Sequence, residues 1–130
     1  MSKRKLVFIV DDDPFIIQLV IKRFNSDEYL IQPFEYGEEC IEELHRDPDM
    51  IILDYYFFKS GEKVLNGMEV YNKIKEIKPD VPVVMLSGQD RGDVVLEMAR
   101  MGITDYIIKD NSLISNLEKA IEEILGEENH

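Results

Sequence analysis

The chain has 130 residues, the length of one domain, and at 45% hydrophobic it carries enough apolar side chain for a core. Its 15 Lys and Arg stand against 27 Asp and Glu, a net charge of −12. Such a charge disfavours direct nucleic-acid binding and anionic membrane surfaces and favours cations or basic partners.

The N-terminus leads into a short strand rather than a long apolar helix. Neither a signal peptide nor a membrane span is expected, and the cytoplasm is the default location. Residues 6–10 form the first apolar run and predict a strand. Residues 14–24 predict a helix capped by Asp13, with Pro14 in its first turn. Residues 29–34 read as a weaker second strand and 38–46 as a second helix closed off by Pro48. Met50 to Leu53 form the third strand. Residues 68–78 predict a third helix, with Val70, Tyr71, Ile74 and Ile77 at helical spacing and Pro79 as its stop. Residues 81–86 hold the fourth strand, and 93–101 a fourth helix ended by Gly102. Residues 106–108 are the fifth strand. Ser112 is expected to cap the last helix, whose apolar stripe is Leu113, Leu117, Ala120, Ile121 and Ile124. Strands alternating with helices predict an α/β fold: a doubly wound three-layer sandwich on a parallel five-stranded sheet, one domain over residues 1–130. Cys40, the lone cysteine, excludes an internal disulfide and reads as packing. His45 and His130 have no metal-spaced neighbours, so zinc is not expected.

The polar residues fall where the strands stop. The first strand runs into Asp11, Asp12 and Asp13, the third into Asp54, the fourth into Ser87 and Gly88, and the fifth into Lys109. In an open parallel sheet these ends share one edge, where ligands bind. Taken singly, each residue has an ordinary explanation: a cap, a turn or a solvated charge. Together they form an oxygen-rich cluster that repels itself unless a cation neutralises it. Without Cys or His, such a cluster suits a hard ion such as Mg²⁺. A nearby lysine and hydroxyl complete an inventory suited to phosphoryl transfer, in which an aspartate can be the nucleophile.

Five motifs in order then resemble the response-regulator receiver family over the whole chain. They are Val10-Asp11-Asp12-Asp13-Pro14, Ile52-Leu53-Asp54, Asn66-Gly67-Met68-Glu69, Val84-Met85-Leu86-Ser87-Gly88 and Asp105-Tyr106-Ile107-Ile108-Lys109. The resemblance implies the strand order 2-1-3-4-5. It implies that Asp54 accepts a phosphoryl group from a sensor histidine kinase or a histidine phosphotransfer protein. Asp12 would bind Mg²⁺ directly and Asp11 through water, with Asp54 and the main-chain carbonyl of Tyr56 as further ligands. Lys109 would hold one phosphoryl oxygen and Ser87 another after transfer, and Tyr106 would then turn inward. The receiver would be a switch, not an enzyme acting on a separate substrate. Its output would be a protein target or an output domain absent from this chain. A homodimer formed on phosphorylation through helix 4, strand five and helix 5 is a further implication, as is docking of the phosphodonor on the greasy first helix.

The chain also departs from the family pattern. Asp110 follows Lys109 where the family usually has proline, and Ser87 replaces the commoner threonine. The stretch from Tyr55 to Val64, with four consecutive aromatics, lengthens the connection before Gly67. It reads as a self-packed loop, a shield over the phosphoryl group or a partner surface. Gln89 occupies a further position that tunes hydrolysis in the family. Two other readings compete. One is a pseudo-receiver that only binds partners, against which Asp12, Asp54, Ser87 and Lys109 stand intact. The other is a haloacid-dehalogenase-like phosphatase, suggested by Asp11 and Asp13 but lacking a second acidic pair downstream. Flavin binding is poorly served, since three aspartates stand where a phosphate-cradling loop is wanted.

Overall fold

The apolar runs become five parallel strands: β1 (Lys5–Val10), β2 (Tyr29–Phe34), β3 (Met50–Asp54), β4 (Val83–Ser87) and β5 (Tyr106–Ile108). They pair in the order β2-β1-β3-β4-β5. Helices alternate with them: α1 (Pro14–Phe24), α2 (Gly37–Glu42), α3 (Gly67–Ile77), α4 (Gly92–Arg100) and α5 (Leu113–Leu125), with a 3₁₀ turn at Leu44–Arg46. This structure, a computed structural model, describes residues 4–55, 66–88, 92–103 and 105–126.

β3 and β4 are buried at every residue, which is why they read as unbroken apolar runs. β2 pairs with β1 on one side only and lies at the sheet edge, where Pro33 deprives the ladder of little. Alternate strand residues feed two cores. Phe8, Val10, Ile51, Leu53 and Met85 pack with Cys40, Val70, Ile74 and Met98 from α2, α3 and α4. Val7, Ile9, Ile52, Val84 and Leu86 pack with Ile16, Val20, Phe24, Leu117 and Ile121 from α1 and α5. Each such buried side chain contributes roughly 1.5–3 kcal/mol relative to exposure. The result is the three-layer sandwich expected.

α1 divides its apolar residues in two. Ile16, Val20 and Phe24 are buried, while Ile17 and Ile21 are half-buried against the same core. Arg23 reaches Glu118 of α5 at 3.0 Å, tying the two helices together. Phe15 remains 69% exposed.

Several local expectations need correction. The helix predicted over 38–46 stops at Glu42, because Glu43 leaves helical geometry and its N–H bonds Cys40 O instead. The chain then makes a 3₁₀ turn, and Asp47, which precedes Pro48, takes a left-handed conformation (φ 57°). The fourth strand starts at Val83, not Val81, since Val81 N donates to Lys78 O in a turn. It runs one residue further than predicted and takes in Ser87. Gly102 does end α4, at φ +81°.

Candidate functional site

The sheet order puts the chain's reversal of direction between β1 and β3, where a crevice opens at the strands' carboxyl ends. Val10 is the register partner of Leu53. The next residue along each strand, Asp11 and Asp54, therefore comes to the same place. Asp12 joins them, and the three carboxylates offer oxygens within 4.8 Å of one another. Asp11 is 1% exposed and Asp54 4%. Asp13 points elsewhere: its Oδ1 accepts from Phe15 N at 2.9 Å, the cap predicted for α1.

β5 brings the opposing charge. Ser87 pairs with Ile108 in the register of β4 and β5, and Lys109 N donates to Ser87 O at 2.7 Å. From there Lys109 Nζ reaches Asp11 Oδ2 at 2.7 Å and Asp54 Oδ1 at 3.2 Å. The contact with Asp11 is an ion pair by distance, though Oδ2 makes no directed hydrogen bond within the described residues. Asp11 Oδ1 accepts from Asp13 N at 2.9 Å, which fixes the carboxylate's orientation.

Burial dominates the electrostatics. It pushes Asp54 up to about 7; the neighbouring Asp11 adds to the rise and Lys109 opposes it. Asp11 is raised in the same way, chiefly by burial and against the pull of Lys109. Burial lowers the Lys109 ammonium, but the Asp54 and Asp11 carboxylates together more than offset it, and the net shift is upward. Among the described residues, one ammonium thus faces three crowded carboxylates. The donor set is all oxygen and three carboxylates crowd within 4.8 Å of one another, so the site fits a hard divalent cation.

Of the other expected residues, Ser87 is buried at the end of β4, and Tyr106 is 38% exposed at the start of β5. Tyr56, Gln89 and the body of the aromatic stretch lie outside the described residues. Tyr55, its first member, packs on the α2–α3–α4 side of the core, and its hydroxyl donates to Glu97 of α4. The Lys109–Asp110 peptide is trans. Ser112 stands at the N-cap of α5 as expected, but its side chain makes no cap bond; instead Asp110 Oδ1 accepts from Ser112 N at 2.8 Å. Asp110 O also accepts from Leu113 N. Gly67, quoted in the sequence only as part of the motif that opens the third helix, proves to touch the site through its backbone. Its N–H donates to Tyr55 O at 3.0 Å, and a Cβ there would sit 2.6 Å from Asp54 O.

Residues 7–122 match the sequence profile of the response regulator receiver domain. The chain belongs to the response regulator receiver family. Among curated proteins it is similar to the nitrogen assimilation regulatory protein NtrX of Azorhizobium caulinodans, 31% identical over 89% of this chain and 26% of that protein. It is also similar to the transcriptional regulatory protein CssR of Bacillus subtilis, 30% identical over 93% of this chain and 53% of that protein. The receiver thus spans about a quarter of NtrX and about half of CssR. Among solved structures, the chemotaxis protein CheY4 of Vibrio cholerae shares the fold, with a TM-score of 0.77 at 22% identity over 94% of this chain and 99% of that one. NtrX from Brucella abortus gives 0.75 at 25% identity, over 92% of this chain and 27% of that one. Membership of the receiver family removes the phosphatase and flavin readings. No helix among the described residues is long and apolar enough to cross a membrane.

Proposed function

We propose that this receiver accepts a phosphoryl group on Asp54 and relays that event through its protein-interaction surface. The observation that carries the reading is the meeting of Asp11, Asp12 and Asp54 with Lys109 at one sheet edge. The donor is a phosphohistidine of a sensor histidine kinase or histidine phosphotransfer protein in the cytoplasm. An Asp54 carboxylate oxygen attacks phosphorus in line with the phosphorus–nitrogen bond. That bond breaks, its electron pair leaves on the imidazole nitrogen, which takes up a proton, and an acyl phosphate remains on Asp54. Asp12 and Asp54, with Asp11 through water and the main-chain carbonyl of Tyr56 as the expected further ligand, would hold a Mg²⁺ ion, which would supply charge neutralisation for the phosphoryl oxygens. Lys109, already beside Asp54, takes one phosphoryl oxygen. Ser87, one residue before the turn at Gly88, donates its hydroxyl to another.

The new dianion then favours one of two arrangements of β4 and β5. As Ser87 is drawn to the phosphate, Tyr106 leaves its exposed position for the space behind it. The changed face of α4, β5 and α5 contacts a protein target or an output domain, or pairs with a second copy. The domain catalyses its own phosphorylation and dephosphorylation and turns over no separate substrate. Phe15, exposed at the start of α1 beside the aspartates, is the docking point for the phosphodonor. Phe15→Glu is expected to abolish transfer from a phosphohistidine donor while sparing phosphorylation by acetyl phosphate.

Intact mass after incubation with acetyl phosphate tests the reading. A single phosphate adduct is expected with Mg²⁺, none with chelator and none in Asp54→Asn. Absence of any adduct, together with failure to bind beryllofluoride, would leave a pseudo-receiver that binds partners without the chemistry.

A further inference from the structure

We infer that Gly67 is a positioning residue for Asp54, through a backbone contact that no other residue type can make. The inference rests on Asp54 being the acceptor. Gly67 opens α3, whose start is held by a reciprocal pair of bonds: Asn66 Oδ1 accepts from Glu69 N at 2.9 Å, and Glu69 Oε1 accepts from Asn66 N at 2.9 Å. This fixed helix start is pressed against the end of the acceptor strand. Gly67 N donates to Tyr55 O at 3.0 Å, and Gly67 is buried. A Cβ at this position would lie 2.5 Å from Tyr55 O, 2.6 Å from Asp54 O and 2.6 Å from Tyr55 Cα.

All three neighbours are main-chain atoms, so no rotamer change relieves the clash. Either α3 moves away or the 54–55 backbone shifts. On the far side, Tyr55 N is anchored to Leu86 O of β4 at 2.8 Å. The acceptor strand end is thus clamped between β4 and the first turn of α3. The Asp54 side chain leaves this clamped backbone to meet Lys109 at 3.2 Å and the other two carboxylates within 4.8 Å. A backbone displacement of a fraction of an ångström at residue 54 is carried directly into those distances. The small residue keeps the carboxylate in reach of its partners.

Gly37 provides a matched control. A Cβ there would meet Val70 Cγ2 at 2.2 Å, a clash between α2 and α3 at a different point of the helix surface. The experiment compares Gly67→Ala, Gly37→Ala and the parent chain, at a temperature where circular dichroism shows each fully folded. Calorimetric Mg²⁺ affinity, the initial rate with acetyl phosphate, and the amide shifts of Asp54 and Tyr55 in the metal-free protein are read. Gly67→Ala is expected to weaken Mg²⁺ binding about tenfold or more, as misplaced metal ligands do, and to move both amides. Gly37→Ala is expected to stay within about twofold of the parent, in line with additivity of distant sites. Parent-like affinity and shifts in Gly67→Ala, or equal losses in both variants, would overturn the inference. If Gly67→Ala does not fold, Asn66→Ala decides. It releases the helix start without a clash, and unchanged Mg²⁺ affinity there would overturn the inference as well. Failure of the parent chain to bind Mg²⁺ or form an adduct would instead strike at the acceptor reading.

Discussion

The ammonium of Lys109, carried just beyond β5, lies 3.2 Å from the carboxylate of Asp54, which ends β3, so the contact spans the whole width of β4. A cation delivered from two strands away stays there because Lys109 N is pinned to Ser87 O and its side chain also meets Asp11 at 2.7 Å. The resting site is therefore pre-set: the group proposed to hold a phosphoryl oxygen already neutralises the acceptor.

Lys109→Met removes that neutralisation and leaves two buried carboxylates without their cation. Breaking a buried pair costs about 3–5 kcal/mol, and partial exposure of Lys109 reduces the expected loss to about 2–4 kcal/mol for the metal-free protein at pH 8. Mg²⁺ should restore part of it. Urea denaturation with and without Mg²⁺ measures both, and equal stability of the variant and the parent would contradict the ion-pair account.

The Asp54 carboxyl, pushed up to about 7 by burial and by Asp11, makes stability depend on pH. Its folded value lies above its unfolded one, so the folded state holds the proton more tightly. Its contribution is complete below about pH 4 and is lost as pH rises through about 7. Metal-free protein should therefore lose on the order of 1–3 kcal/mol between those limits, with Asp11 acting in the same direction. Asp54→Asn should flatten much of this slope. Mg²⁺ binding, which competes with the proton, should weaken as pH falls below 7. Urea midpoints at pH 5, 6, 7 and 8 for both chains decide the matter, and parallel slopes would contradict it.

At the start of α5 the carboxylate of Asp110, and not the hydroxyl of Ser112, supplies the side-chain hydrogen bond. Asp110→Ala should cost about 1 kcal/mol, the usual worth of a helix-end bond, because its carboxylate accepts Ser112 N. Ser112→Ala should cost little, since its side chain makes no cap bond. Thermal melts of the two variants give the comparison; the reverse order would make the Ser112 hydroxyl the stabilising group.

Cys40 is fully buried, and burial pushes its thiol up to about 12. At pH 8 it should react with a thiol reagent only when the domain opens, so labelling should be slow in buffer and fast in urea. Rapid labelling of the native chain would show that α2 is loosely held.

The pattern of apolar runs and helical stripes was enough to identify the α/β class, because buried parallel strands and amphipathic helices leave different periods in a sequence. The candidate site was legible for a related reason. In a parallel sheet every strand's carboxyl end reaches one edge, so Asp11, Asp12, Asp54, Ser87 and Lys109 announce a common location by standing where strands stop. What the sequence could not determine were contacts that depend on register and approach. That Lys109 pairs with Asp11 more closely than with Asp54 follows from the alignment of β1, β3, β4 and β5. That Asp110 rather than Ser112 serves α5 follows from the turn after β5. That residue 67 must lack a side chain follows from how closely α3 packs on the 54–55 backbone. Each is a distance between segments far apart in the chain or a choice among local rotamers, and only the folded arrangement decides it.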